Sequence, residues 1–232
     1  MAGFLRFLLG IVMIPVAWGV TRAVLAMIGI FSQTSNLSLN ALSFFAGVIA
    51  FAVAWIFASA PVKTYVLAHE LTHALWGMLF GAKASKLKVS ENGGSVNLTK
   101  TNFLIILAPY FFPFYSFVVI IAALITSIFV KPLPWLPAWI FGIGFTWSFH
   151  VLFTIDTLTR KQSDVTMYGR VFSWVFIYIA NLMLVLVCGA AASDNINAGD
   201  VFSKTLEYTL GAYLWVFGAI KILFNGVMTN VS

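Results

Sequence analysis

Residues 62–80 read VKTYVLAHELTHALWGMLF, an apolar stretch interrupted at its centre by His69, Glu70, Thr72 and His73. On a helix His69 and His73 stand four residues apart, one turn along the same face, where both imidazoles reach one metal ion. The glutamate between them is placed to meet a water held by that ion rather than the ion itself. Zinc lowers the pKa of such a water to about 7, so a carboxylate can take its proton and deliver it to a leaving amine. The pattern predicts a metal site with His69 and His73 as ligands, Zn2+ as the ion and Glu70 as general base.

The surroundings of this stretch give the polar residues their weight. The chain has 232 residues, 61% hydrophobic and 9% charged, against roughly one quarter charged for a soluble domain. Surface-to-volume scaling leaves much of that apolar surface exposed in any soluble fold of this size, so the lipid bilayer is the expected solvent. Near its centre each ionisable group costs about 2.5–3.5 kcal/mol. A knot of them in so apolar a helix implies a compensating function.

A crossing helix needs about 20 apolar residues. Segments of that kind fall at 4–31, 40–60, 62–80, 103–130, 135–158, 165–192 and 208–229. The expected fold is therefore an all-α polytopic membrane protein with six or seven transmembrane helices. It reads as a single membrane domain over 1–232, with a catalytic core at about 62–192. The stretch from Met1 to about Phe31 has too long an apolar run for a cleaved signal peptide and reads as the first membrane helix, kinked near Pro15. Arg22 inside it either snorkels or faces a polar interior.

Polar connections are expected at Ser32 to Asn40 and Ser193 to Glu207, and Ser59-Ala60-Pro61 offers an N-cap ahead of the metal-site helix. The net charge of +6 comes from 13 basic and 7 acidic residues. No basic run interleaves with aromatics in a polar setting, so no nucleic-acid partner is expected. The one cysteine, Cys188, rules out an internal disulfide and reads as a small buried hydrophobe.

Residues 82–102 do not read as helix. Asn92-Gly93 is a strong two-residue hairpin signal. A turn centred there pairs Glu91 with Gly94, Val89 with Val96 and Leu87 with Leu98, which puts four apolar side chains on one face of a hairpin at 86–100. Gly77 and Gly81, four apart, would let another backbone approach the helix closely.

A third metal ligand has to come from elsewhere. His150 lies about ten residues before Arg160, and His73 about eight before Gly81. At 1.5 Å per residue both sit about 12–15 Å below helix ends that an antiparallel count puts on the same side. Asp164 opens the next helix from that side, and a carboxylate suits zinc as well as imidazole does. Asp156 has Arg160 at i+4 and reads as half of a helix pair.

The helix with His69-Glu70-Leu71-Thr72-His73, a glycine-bearing hairpin and the proline-broken Leu107-Ala108-Pro109-Tyr110 together resemble the site-2 protease family of intramembrane zinc metalloproteases. The likeness is to the compact branch without PDZ or CBS domains and covers roughly residues 62–175. It implies proteolysis of membrane protein or peptide substrates, with Glu70 as base and His69 and His73 as zinc ligands. It also implies an aspartate ligand on a later helix, carried here to Asp164 in Gln162-Ser163-Asp164, with His150 as the alternative. The family's usual Asn-Pro…Leu-Asp-Gly motif is absent; Gly169-Arg170 follows instead of an adjacent glycine.

Other classes stay in view. A non-proteolytic regulator or chaperone would keep this fold with an incomplete ligand set. An ion transporter would spread its acidic and histidine residues over several depths, whereas here they cluster at one. The hairpin side carries seven basic residues (Lys83, Lys86, Lys88, Lys100, Arg160, Lys161 and Arg170) against four on the other, so the positive-inside rule puts the active-site mouth on the cytoplasmic side of the plasma (inner) membrane.

Overall fold

The computed structural model describes residues 2–33, 38–191 and 197–229, and the polar connections expected at 32–40 and 193–207 fall partly outside them. The chain is mostly helical, with one two-stranded antiparallel sheet. In order, the elements are α1 (Ala2–Val12), α2 (Ile14–Gln33), α3 (Leu39–Phe57), α4 (Val62–Leu79), β1 (Ala84–Ser90), β2 (Gly93–Leu98) and α5 (Phe103–Leu107). A single 3-10 turn (Ala108–Tyr110) leads to α6 (Phe114–Phe129), α7 (Leu136–Thr159), α8 (Ser163–Met167), α9 (Arg170–Ala191) and α10 (Ala198–Thr229).

Among the described residues five helical stretches are long and apolar enough to cross a membrane, and a sixth is counted if α5 and α6 form one broken span. Large apolar side chains such as Phe57, Phe129 and Trp215 stand exposed on them, as lipid contact requires. The helix at 62–80 forms as expected but is not one of the five, since Lys63, His69, Glu70 and His73 dilute its apolar character. The expected 103–130 segment bends by 81° between Tyr110 and Phe114. Pro109 and Pro113 remove backbone donors there, and a helix cannot continue through them. The expected 165–192 helix is two pieces, parted at Gly169 with φ +89°. The last helix starts at Ala198, ten residues before the expected 208, because Asp200, Lys204 and Glu207 are polar yet compatible with a helix.

The chain divides into two compact units, residues 36–167 and residues 1–35 with 168–232. In the second of these, Val20, Ala23, Val24 and Met27 of α2 pack against Leu186 of α9. The helix break lies at Met13, two residues before Pro15. The exposed Arg22 places its guanidinium 5.5 Å from the centre of the Tyr208 ring, a cation–π contact.

In residues 36–167, α3 and α7 pack through Phe51, Phe149 and Phe153. Phe51 meets Phe149 edge to face at 5.3 Å, and Tyr65 of α4 stacks flat on Phe153 at 4.6 Å. That stacking ties α4 to α7. Pro61 itself occupies the N-cap of α4, so Ser59 does not cap it. At the other end Gly81 N–H donates to Met78 O and Ala82 N–H to Gly77 O, the Schellman pattern, with Gly81 at φ +75°. Gly81 therefore ends the helix rather than admitting a second backbone.

The hairpin forms one residue earlier than expected. Ser90 pairs with Gly93 and Val89 with Gly94, so the turn residues are Glu91 and Asn92. Farther from the turn Ser85 pairs with Asn97, and Lys86 and Leu87 face Val96 alone across a bulge, with Lys86 at φ +54°. Val89, Val96 and Leu98 stay half-buried on the shared face, while the bulge turns Leu87 out. β2 packs along the Val66, Glu70 and Gly77 face of α4, with Gly94 on the first two and Leu98 on Gly77, and the bulge at Lys86 and Leu87 takes up the change of register along β1.

Candidate metal centre

Helical spacing builds the first half of the site. His69 and His73 share one side of α4, and their Nε2 atoms stand 3.2 Å apart. α7 ends at Thr159, the chain turns back, and the one-and-a-half turns of α8 bring Asp164 to them. Its Oδ2 lies 3.2 Å from His69 Nε2 and 3.5 Å from His73 Nε2. Three ligand atoms from two elements thus form a nearly equilateral triangle.

The protonation pattern follows from the neighbours. His73 Nδ1 donates to the Ile105 carbonyl at 2.9 Å. A carbonyl only accepts, so Nδ1 carries the proton and Nε2 turns a lone pair toward His69 and Asp164. His69 Nδ1 meets the Tyr65 hydroxyl at 3.4 Å, leaving its Nε2 toward the same point. The Tyr110 hydroxyl donates to Asp164 Oδ2 at 3.1 Å. Lone pairs and a carboxylate converging on one point repel one another unless a cation lies among them.

Donors about 2.0–2.2 Å from a tetrahedral zinc stand about 3.3–3.6 Å from each other. The edges of 3.2, 3.2 and 3.5 Å match that spacing without rearrangement. Oriented outer partners on ligating side chains, here Ile105 O and Tyr110, are also what a metal site requires. The residues present fit a zinc ion.

The three residues of the triangle line a cleft of about 810 Å³. Glu70 lines it beside the ligands and is 7% exposed. β2 forms one wall, the end of α7 and the start of α8 another. β1 and β2 are the only strands among the described residues, so β2 keeps one edge unpaired.

Of the residues singled out in the sequence, His69, Glu70, His73 and Asp164 come together here. His150 does not. It lies one turn earlier on α7 than Phe153 and does not line the cleft; it lines a small neighbouring cavity with Thr72 and Tyr115 that Tyr65 and His69 also border. Asp156 also lines the cleft, but its carboxylate pairs with Arg160 at 2.9 Å. Sequence reasoning missed Tyr65 and Tyr110 as partners of the site. Tyr65 carried a signal, standing four residues before His69; Tyr110 carried only its place after Pro109.

No protein-family model, curated protein or solved structure matches the chain. The chemistry of the site rests on its own geometry.

Proposed function

We propose that the protein is a multi-pass integral membrane zinc metalloprotease, similar to the site-2 protease family, that hydrolyses peptide bonds of membrane-embedded substrates. The observation that carries the reading is the triangle of His69 Nε2, His73 Nε2 and Asp164 Oδ2, with Glu70 in the same cleft. A non-proteolytic regulator would be expected to lack the third donor.

Zinc bound there supplies a Lewis acid that acidifies water and polarises a carbonyl. The chain's own residues do the rest. Glu70 takes the proton of the attacking water and returns it to the departing amine, a role worth about 10²–10⁴-fold in rate. Asp164 balances the charge of the ion and, through Tyr110, keeps a fixed orientation. A transmembrane substrate hides its carbonyls in helical hydrogen bonds, so it must unwind to react. The unpaired edge of β2 can hold such a segment extended beside the ligands by strand addition.

The many basic residues around the hairpin and the α7–α8 turn favour a cleft that opens to the cytoplasmic side of the plasma (inner) membrane. The test is Glu70→Gln in purified protein with a membrane-embedded substrate. Cleavage should disappear while one zinc per chain remains. Retained cleavage rules out Glu70 as the base.

A further inference from the structure

Among the described residues no hydrogen bond or ion pair holds the Glu70 carboxylate, although the ligands around it are each tethered. What does bound it is the main chain of β2. A Cβ built at Gly94 would lie 2.6 Å from Glu70 Cγ, 2.9 Å from Glu70 Oε1 and 2.7 Å from Val66 Cγ1. Real Cβ atoms essentially never come within 3.0 Å of such neighbours, so a side chain at Gly94 would force Glu70, Val66 or the strand to move. Val66 and Glu70 are four residues apart on α4, and the strand rests on both.

Alternation along β2 puts Gly94 on the face shared with Val96 and Leu98, the face that packs on α4. Four residues of strand from Gly94 to Leu98 span about 13 Å, and the seven helical residues from Glu70 to Gly77 span about 10.5 Å. The two elements therefore run together, fixed at one end by Gly94 on Glu70 and at the other by Leu98 on Gly77.

We infer that Gly94 is a positioning residue: its bare backbone forms the wall that sets the Glu70 carboxylate against the metal centre. This rests on the hydrolytic reading above and deepens it. The hairpin then both borders the substrate groove and fixes the base, so strand placement and proton transfer are coupled.

Gly94→Ala should push Glu70 or the strand aside by a fraction of an ångström to an ångström. A displacement of that order costs about 100-fold in kcat. KM should change much less, and zinc should stay at one per chain because no ligand is touched. Val66→Ala removes the Cγ1 that competes for the same space, so V66A/G94A should recover part of the lost kcat. A loss of hairpin structure alone would not be rescued in this way. A second measurement needs no turnover: V66C/G94C in a Cys188→Ser background should close a disulfide under mild oxidation, because the two Cβ positions lie within about 4.5 Å, the usual range for such a bond.

An undiminished kcat in Gly94→Ala, a double variant no more active than Gly94→Ala, or thiols that stay open overturns the positioning role alone, provided the parent chain cleaves and Glu70→Gln does not. A zinc-loaded parent chain that cleaves nothing overturns the hydrolytic reading and the positioning role with it.

Discussion

The Tyr110 hydroxyl donates to the same carboxylate oxygen of Asp164 that faces both histidines, at 3.1 Å. Tyr110 is fully buried, while the Asp164 side chain, 19% exposed, lines the cleft. Losing such an outer partner typically costs about 10–100-fold in metal affinity. Tyr110→Phe keeps the ring and its edge contact with His69, and removes only the donor. Its zinc dissociation constant, measured by chelator competition, should rise by about tenfold or more. An unchanged constant would remove Tyr110 from the support of the site.

The identity of the third ligand separates two variants. Asp164→Asn keeps the size and loses the charge, and the purified protein should carry well under one zinc per chain. His150→Gln lies outside the cleft and should retain a full complement. Metal content by elemental analysis decides between them, and the reverse result would make His150 the ligand.

What the sequence disclosed follows the range of the forces involved. The i, i+4 spacing of His69 and His73 is local geometry, and it was readable at once. The unusual length of the apolar runs was equally plain. The hairpin was readable, yet its turn lies one residue earlier than Asn92-Gly93 suggests. The seat of Gly94 on Val66 and Glu70 is a tertiary contact that no local pattern announces. Polarity misled at Asp200, Lys204 and Glu207, where a charged first stretch of α10 looked like a loop. Tyr110 was hidden for a similar reason: nothing in Pro109-Tyr110 indicates that a 3-10 turn points the hydroxyl at a residue 54 positions away.

Metal removal gives a stability readout independent of substrate. An ion that binds only the folded chain stabilises it by about 2.7 kcal/mol when present at 100 times its dissociation constant. Treatment with 1,10-phenanthroline should therefore lower the melting temperature of the detergent-solubilised protein, and added zinc should restore it. His73→Ala lacks a ligand and should not respond to either. A chelator effect that persists in His73→Ala would place the metal elsewhere.

The end of α4 offers a test of how firmly the hairpin is aimed. Gly81 holds φ +75°, and nothing lies within 4 Å of where its Cβ would be. A side chain there meets no neighbour, so the cost of Gly81→Ala is conformational: about 1–2 kcal/mol for an L-residue in the left-handed region. Asn tolerates that region better, so Gly81→Asn should lose less. Unfolding in detergent should rank the parent chain above Gly81→Asn and Gly81→Ala lowest. The Schellman bonds from Gly81 and Ala82 set the direction in which β1 departs, only two residues later. If Gly81→Ala instead relieves its strain by unwinding that last turn, β2 shifts along α4 and loses its seat on Glu70. Activity would then fall further than stability, and the Asn variant would preserve it. Equal stability of all three proteins would mean that α4 does not end in this motif.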